Sequence, residues 1–577
     1  MKDYYTSKRR LLALMAAAIF LFTLLFVRLF YVQVVWGGEL MKRAEDQWTR
    51  ELPLVAKRGD VVDREGRVVA TSQTTFSVYV RPKSVTDPEA VARILSDELA
   101  LDYDSLLEKI GKRGVSEVTV KRQVPQETVD SIRSAELGGV YFAEDSGRVY
   151  MYGEFLSQVL GFVSSDNVGQ TGIEAYYDKY LKGIYGQTLT ETDLVGRELQ
   201  EKTMRYVPAT DGLTVQLTID AVIQMAVENV LELAMYQQQP KSARAIVLDV
   251  TNGEVLAMAM KPSVDLNDLP RDDVQTLMQN SKNVLLTDVY EPGSTFKVLT
   301  AAACLEEYAK GNPKAFGETY VFRNNSRVRM IDGSKISCWS NHANGKHSNQ
   351  TLADALNNSC NPIFTDIALS LGKDVMYSYL DAFGYGKVSG IDFQGEQAGL
   401  LVPKSSVTNG DLARIGFGQT IAVTALQLCM ATTAAVNGGV LYVPRLVKEI
   451  DDPTTGNVVL RFNPVVASNP ISKSTSEKLA LMLEGVVTSG SGKQAYVEGY
   501  RVGGKTGTAQ KFENGSLAVG KYVSSFVGFF PANSPKYLAL MIVDEPQGQS
   551  YGSIVAAPYA KLIFQEIINY KGLSPVA

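Results

Sequence analysis

The sequence predicts a multidomain α/β (α+β) chain: an N-terminal transmembrane helix, a mixed α+β segment, and a large α/β domain. Three observations carry this reading. The chain has 577 residues, which at about 150 residues per domain leaves room for three or four domains, or fewer if one is large. Its hydrophobic fraction of 45% with 21% charged residues can bury large cores, so a disordered or collagen-like chain is excluded. Strand-like and helix-like runs alternate along it and change character near Pro208.

The N-terminus comes first. Leu11 to Val27 carries no charge, and the apolar character continues past Arg28 to Trp36. A hydrocarbon core about 30 Å thick needs about 20 such residues; Arg28 can snorkel, and Tyr31 and Trp36 suit the interface. Lys8, Arg9 and Arg10 precede the run, so the positive-inside rule keeps residues 1–10 cytoplasmic and puts the rest outside the cell membrane. The run exceeds a signal-peptide core and no small-x-small cleavage site follows, which favours a retained anchor over residues 11–36.

Residues from about Glu51 to Tyr206 alternate short β-like runs, such as Thr74 to Val80, with polar helical stretches. Beyond Pro208, Gly212 to Asp220 reads as a strand and Ala221 to Gln237 as a helix. A hairpin with Asn252-Gly253 at its turn follows, then apolar helices, further strands at VGGKTGTA, SSFVGFF and YLALMIVD, and a helix over Ala557 to Tyr570. The domain boundary is therefore placed between 207 and 208.

The composition also limits the chemistry. Against 57 Lys plus Arg stand 62 Asp plus Glu, so the net charge of −5 offers no basic field for nucleic acid. Four Cys exclude a disulfide scaffold, and two His leave little for histidine-based catalysis. A nucleophile that works without histidine is present in Glu291-Pro-Gly-Ser294-Thr-Phe-Lys297. A turn there opens a helix, where free N–H groups favour developing negative charge. A desolvated lysine at i+3 can take the serine proton.

Ser-x-x-Lys alone is weak, and Ser370 with Lys373 is a decoy; Ser-x-Asn likewise occurs at Ser165, Ser281 and Ser359. Lys-Thr-Gly occurs once, at Lys505-Thr506-Gly507. Ser294-x-x-Lys297, Ser359-Cys-Asn361 and Lys505-Thr-Gly, in that order, resemble the three motifs of the penicillin-recognising serine enzymes. Arg58-Gly-Asp-Val-Val-Asp63-Arg64-Glu-Gly66, Gly172-Ile-Glu174 and Gly183-x-x-Gly186 resemble the pedestal signatures of class B penicillin-binding proteins. The resemblance covers nearly all of residues 11–570 and points to division or sporulation transpeptidases of Gram-positive, clostridium-like bacteria.

That resemblance implies a pedestal or dimerisation domain over 37–207 and, over 208–577, a penicillin-binding, β-lactamase-like transpeptidase domain with a central antiparallel sheet flanked by helices. It makes Ser294 the nucleophile and Lys297 its base, with Ser359, Asn361 and Lys505 as catalytic partners. Thr506, Gly507 and Thr508 would bind substrate along an edge strand, Gly503 and Gly504 easing its approach, and the N–H groups of Ser294 and Thr508 would form the oxyanion hole. The implied activity is D,D-transpeptidation of peptidoglycan stem peptides, with β-lactams acylating the same serine. The alternatives are a D,D-carboxypeptidase or β-lactamase-type hydrolase, and a scaffold of a cell-wall synthesis complex. A fused glycosyltransferase is disfavoured, because no His precedes His342. The implied partner is a membrane glycan polymerase of the shape, elongation, division and sporulation family.

Cys338, His342, His347 and Cys360 crowd into one stretch. Thiolate and imidazole suit a tetrahedral structural Zn²⁺; the resemblance implies one near this motif through Cys338 and His347, and the clustering adds Cys360, the middle residue of Ser359-Cys-Asn361. The fourth ligand is open between Asp332, His342 and water, and the competing reading is two buried thiols with two surface histidines. Cys304 and Cys429 lie in apolar helical runs and read as core.

Overall fold

The computed structural model describes residues 2–112, 114–192, 198–323, 327–339, 347–513 and 516–575. The chain divides into two compact units, Met1–Lys57 with Gly183–Asp211, and Arg58–Lys182 with Gly212–Ala577. In the first, helix α1 (Lys2–Phe30) runs into a π turn (Tyr31–Val35), and Tyr5–Val35 is long and apolar enough to cross a membrane. An antiparallel sheet joins Thr49–Leu54, Gly186–Thr192 and Glu198–Val207.

The second unit is built on two sheets. Its N-terminal part supplies strands β1 (Val61–Val62), β2 (Val68–Val80), β3 (Val118–Val124) and β4 (Val140–Tyr150). Next come β5 (Thr214–Leu217), helix α2 (Ala221–Gln238), β6 (Ser242–Asp249) and β7 (Val255–Lys261). Helix α3 (Lys297–Ala309), the hairpin β8 (Val328–Ile331) and β9 (Ser334–Ser337), and helix α4 (Asn361–Ala382) follow. The chain ends with β10 (Val447–Asp451), β11 (Val458–Arg461), β12 (Gly503–Glu513), β13 (Ser516–Phe530), β14 (Tyr537–Asp544) and helix α5 (Ala557–Lys571).

One sheet runs β11-β10-β5-β1-β2-β3, with β4 on β2, and so draws strands from both sides of Pro208. The other is antiparallel in the order β7-β6-β14-β13-β12. Strand β14 shows why this second sheet sits between two helical layers. Leu538, Leu540 and Ile542 enter the core shared with α3 and α4, whereas Tyr537, Ala539, Met541 and Val543 enter the core shared with α2 and α5. Alternate side chains point to opposite faces, so a strand apolar at every position must be covered on both.

Two of the segments that resemble pedestal signatures, those of Arg58 and Glu174, meet at a buried charge cluster. Arg58 Nε donates to Glu174 Oε2 at 2.5 Å and Arg58 Nη1 to Asp178 Oδ1 at 2.7 Å, while Arg148 Nε donates to Glu174 Oε1 at 2.6 Å. Arg58 Nη2 and Nη1 also donate to the carbonyls of Glu174 and Asn167, so most of the guanidinium's N–H groups are engaged. The paired carboxylates hold the Arg58 pKa above its ordinary value although burial opposes them. Asp63 is equally buried and accepts from the N–H groups of Glu65, Arg67 and Ala221, tying the first signature to the start of α2. Replacing Arg58 by Met leaves Glu174 half-paired in a closed site. Removing one partner of a buried pair costs about 3–5 kcal/mol, so chemical denaturation of Arg58→Met should show a loss of that order. An unchanged unfolding midpoint would show that the cluster is not a stability element.

Candidate active site

Ser294 lies in a single 3₁₀ turn, Gly293–Phe296, and Lys297 begins α3 directly after it. In a 3₁₀ turn residues i and i+3 eclipse, so the two side chains stand one above the other. Lys297 Nζ is 3.0 Å from Ser294 Oγ. The turn is pressed from outside: Gly293 N–H donates to Gly418 O at 2.9 Å, and a Cβ on Gly418 would lie 2.1 Å from Gly293 O. Gly418 also has φ +83°, a region open to glycine, so both sterics and backbone require it. Glu291 closes the same corner by accepting the Thr420 N–H at 2.9 Å, and burial raises its pKa.

The second motif arrives on the turn before α4. Ser359 has φ +53°, unusual for a residue with a Cβ, and this turns its hydroxyl and carbonyl inward together. Lys297 Nζ lies 2.8 Å from Ser359 O, 3.0 Å from Ser359 Oγ and 2.7 Å from Asn361 Oδ1. With Ser294 Oγ that makes four oxygens around one nitrogen, one more than an ammonium has protons to donate. A neutral amine donates to the two carbonyl oxygens and offers its lone pair to the Ser294 hydroxyl, which leaves the Ser359 hydroxyl to Lys505. Burial supplies the matching energetics, lowering the Lys297 pKa to about 7.

The third motif is on β12, the edge strand. Lys505 is fully buried, and its Nζ lies 3.0 Å from Ser359 Oγ and 3.1 Å from Thr506 O. The Ser359 hydroxyl therefore bridges two lysines at equal distance. Burial, and after it the charge of Lys297, lower the Lys505 pKa well below its ordinary value. Thr506 Oγ1 pairs with Ser491 Oγ at 3.2 Å, and Thr508 Oγ1 accepts the Gly552 N–H at 3.0 Å.

The structure thus gathers Ser294, Lys297, Ser359, Asn361 and Lys505 into one network and runs Thr506, Gly507 and Thr508 beside it. The glycines of β12 do more than admit a substrate. A Cβ at Gly503 or Gly504 would lie 2.5 Å from the ring of Phe529 or Phe526, so these two make room for the protein's own core. At Gly507 a Cβ would approach Ser525 Oγ to 2.5 Å and Thr295 Cγ2 to 2.9 Å, so the missing side chain lets β12 lie against the nucleophile's turn. The decoys are used elsewhere: Ser370 Oγ donates to Lys314 O, Ser281 Oγ to Leu277 O, and Asn167 O accepts from Arg58. Sequence reasoning missed Ser491, Thr420 and the Ser337 carbonyl, which accepts Asn361 Nδ2 at 3.1 Å.

Cys338, His347 and Cys360 are buried together, their ligand atoms all within 4.8 Å of one another. Cys338 Sγ and His347 Nδ1 are 3.5 Å apart. Tetrahedral Zn–S and Zn–N bonds set those atoms about 3.5 Å apart, so this pair fits the ion. Asp332 is not in the group and accepts the Gly410 N–H, whereas His342 lies outside the described residues. Hydrogen bonding to Cys338 and burial push the Cys360 thiol pKa up. Cys304 and Cys429 are buried in helices of the core, and burial pushes Cys304 up to about 12.

Comparison with known proteins decides the family. The penicillin-binding protein transpeptidase domain matches residues 243–568, and the penicillin-binding protein dimerisation domain matches residues 53–217. The chain belongs to the class B penicillin-binding transpeptidases. It is 38% identical to stage V sporulation protein D of Bacillus subtilis, over 99% of this chain and 87% of that protein. It is 28% identical to the peptidoglycan D,D-transpeptidase FtsI of Escherichia coli K12, over 95% of this chain and 90% of that one. Among solved structures, a peptidoglycan synthetase from Bifidobacterium adolescentis superposes with a TM-score of 0.72 at 25% identity, covering 92% of this chain and 98% of that one. Penicillin-binding protein 3 of Mycobacterium tuberculosis, solved with aztreonam, gives 0.70 at 23% identity over 91% and 98% of the two chains and shares the fold.

Proposed function

We propose that this class B protein is a membrane-anchored serine D,D-transpeptidase that cross-links peptidoglycan stem peptides through an acyl-enzyme. The observation that carries the reading is the fully buried Lys297 amine, 3.0 Å from Ser294 Oγ and lowered to a pKa of about 7. Ser294 Oγ attacks the penultimate D-Ala carbonyl of a donor stem as Lys297 takes its proton. The N–H groups of Ser294 and Thr508 receive the developing oxyanion. The terminal D-Ala then leaves, its nitrogen protonated from the Lys297–Ser359 pair, and the amine of a second stem displaces Ser294 by the reverse proton path. A β-lactam presents the same acyl carbonyl, but its leaving nitrogen stays tethered. Thr506, Gly507 and Thr508 pair with the donor backbone on the open edge of β12, with Lys505 behind them.

Residues 11–36 anchor the chain with 1–10 in the cytoplasm, 37–207 form the pedestal, and 208–577 form the catalytic part outside the membrane. The glycan strands come from a membrane glycan polymerase of the shape, elongation, division and sporulation family, reached through the transmembrane helix and pedestal. Cys338, His347 and Cys360 hold a structural Zn²⁺. It contributes folding free energy beside the Ser359 turn and takes no part in the acyl transfer.

Four measurements test this reading. Ser294→Ala should abolish covalent labelling by fluorescent penicillin in a folded protein, and Ser370→Ala should keep it; the opposite pattern assigns the wrong serine. An amine with pKa 10.5 would be roughly 0.03% neutral at pH 7, whereas one at about 7 is half neutral. The acylation rate should therefore rise about tenfold per pH unit below 7 and level off above it. A rate still climbing at pH 9 would remove Lys297 as the base.

For the metal, purified protein should contain one zinc per chain, and chelation or Cys338→Ser should lower the melting temperature while Cys304→Ser keeps the zinc. Protein prepared without chelators that holds no zinc would end that assignment. For the partner, replacing residues 11–36 by an unrelated spanning helix should weaken co-purification with the polymerase. Recovery of no polymerase with the unaltered protein would remove this partner.

A further inference from the structure

The nucleophile's turn is held from outside by a segment that carries none of the three motifs. Strand Val289–Tyr290 pairs antiparallel with Val423–Thr424, Tyr290 lying opposite Val423. Continued without a break, that register would set Gly293 against Thr420. Gly293 N–H donates instead to Gly418 O, two residues further along, at 2.9 Å. The break has local causes: Pro292 has no N–H to give, and Thr420 is turned out of the strand with φ +64°. A left-handed Thr is strained and persists only where its surroundings hold it. Its N–H has lost its place in the ladder, and the half-buried Glu291 side chain fills the gap, Oε1 accepting that N–H at 2.9 Å.

This seat controls a peptide plane. Gly293 C=O and Ser294 N–H belong to one planar unit and point in opposite directions, so fixing the carbonyl fixes the N–H. On one side the unit meets Gly418, which lies so close that a Cβ there would come to 2.1 Å from Gly293 O. On the other it meets β12, where a Cβ on Gly293 would lie 3.3 Å from Thr508 O. The segment from Gly416 to Thr420 is fastened along the turn at three points. Gly416 O accepts from Thr300 Oγ1 of α3 at 2.9 Å, Gly418 O accepts from Gly293, and Thr420 N–H reaches Glu291.

We propose that Glu291 is a positioning residue for the acyl transfer: by holding the Thr420 N–H it seats Gly418 on Gly293 O and so aims the Ser294 N–H at the developing oxyanion. The inference rests on Ser294 being the nucleophile of the proposed transpeptidase. Glu291 touches neither substrate nor the reacting atoms. The seat requires an acceptor oxygen at the right reach, not a charge. Lys297 owes its lowered pKa to burial, so Glu291 acts on the oxyanion donor and leaves the base alone.

Pre-steady-state acylation of the full-length protein by benzylpenicillin tests this, because it separates the dissociation constant of the non-covalent complex from the rate of the covalent step. Glu291→Gln keeps the oxygen and drops the charge; Glu291→Asp keeps the charge on a side chain one methylene shorter; Glu291→Ala removes both. An oxyanion-hole donor is worth about 10²–10³ in rate, so Asp and Ala should each lower the covalent rate about tenfold or more, whereas Gln should stay within about threefold. The dissociation constant should not change, and the pH midpoint of the covalent rate should stay near 7 in all three. A boronic acid analogue of acyl-D-alanine, which forms a tetrahedral adduct on Ser294, should bind the Asp and Ala variants about tenfold or more weakly as well. The comparison of Gln with Asp decides the matter even where Glu291→Ala fails to fold. A Gln variant as slow as Asp, rates alike in all four proteins, or a loss confined to the dissociation constant would each overturn the assignment. Labelling that survives Ser294→Ala would remove the nucleophile itself.

Discussion

A lysine amine without access to water is the constraint on which the rest of the site depends. Lys297 must be buried for its pKa to fall, yet a buried amine needs partners for its N–H groups and its lone pair. No single element can supply them. The serine comes from the same turn, the two carbonyl oxygens from the bend before α4 and from the first residue of that helix, and the closing wall from β12. Ser359 accepts an uncommon left-handed backbone so that its carbonyl and hydroxyl face the same nitrogen. Lys505 then meets that hydroxyl from the other side. Two cations could not share it in so dry a place, and the lowered pKa of Lys505 reflects this.

The same requirement explains the small residues around the site. Three secondary elements must approach until side-chain groups lie about 3 Å apart, which leaves no space for a Cβ where backbones cross. Gly418 against Gly293, Gly507 against Thr295 and Ser525, and Gly552 against the carbonyls of Gly507 and Ser525 are all such crossings. The last would bring a Cβ to 2.2 Å from Gly507 O. A glycine in a motif therefore does not by itself mark a place where substrate lies. Gly503 and Gly504 read from sequence as room for a ligand, and they are room for Phe529 and Phe526.

What could be read in the sequence was whatever has a local signature. Glu291 to Lys297 carries its own geometry, because i and i+3 meet in any tight helical turn. The pedestal signatures could be quoted but not joined: nothing local says that Arg58 pairs with Glu174, 116 positions away. Ser491 was invisible for the same reason, since its partner Thr506 belongs to a strand reached only after the chain turns back. The change of character near Pro208 is real in composition, yet β1 pairs in parallel with β5 across it and β5 continues to β10. A register between distant strands is set by packing on both faces and leaves no trace in the periodicity of either one.

The Cys338, His347 and Cys360 cluster illustrates how a structural device can bear on chemistry without joining it. Cys360 lies between Ser359 and Asn361, so whatever holds its sulfur limits where those two residues can move. Three further bonds fasten the same corner: Asn361 Nδ2 to Ser337 O, Trp339 Nε1 to Asn358 O at 2.9 Å, and Asn358 Nδ2 to Gln350 Oε1 at 2.9 Å. Gln350 in turn donates to the carbonyl of His347 at 2.8 Å. At the same open end of the β8–β9 hairpin, Arg329 grips Asp366 of α4 through two nitrogens at 3.0 and 2.9 Å. The hairpin and the residues just after it are thus tied to the chain on both sides of the left-handed Ser359, at Asn358 before it and at Asn361 and Asp366 after it. Loosening the cluster frees that residue to relax toward ordinary backbone angles, which would withdraw its carbonyl and hydroxyl from Lys297. The amine would then regain solvent, its pKa would climb, and the nucleophile would lose its base although no catalytic side chain had been altered.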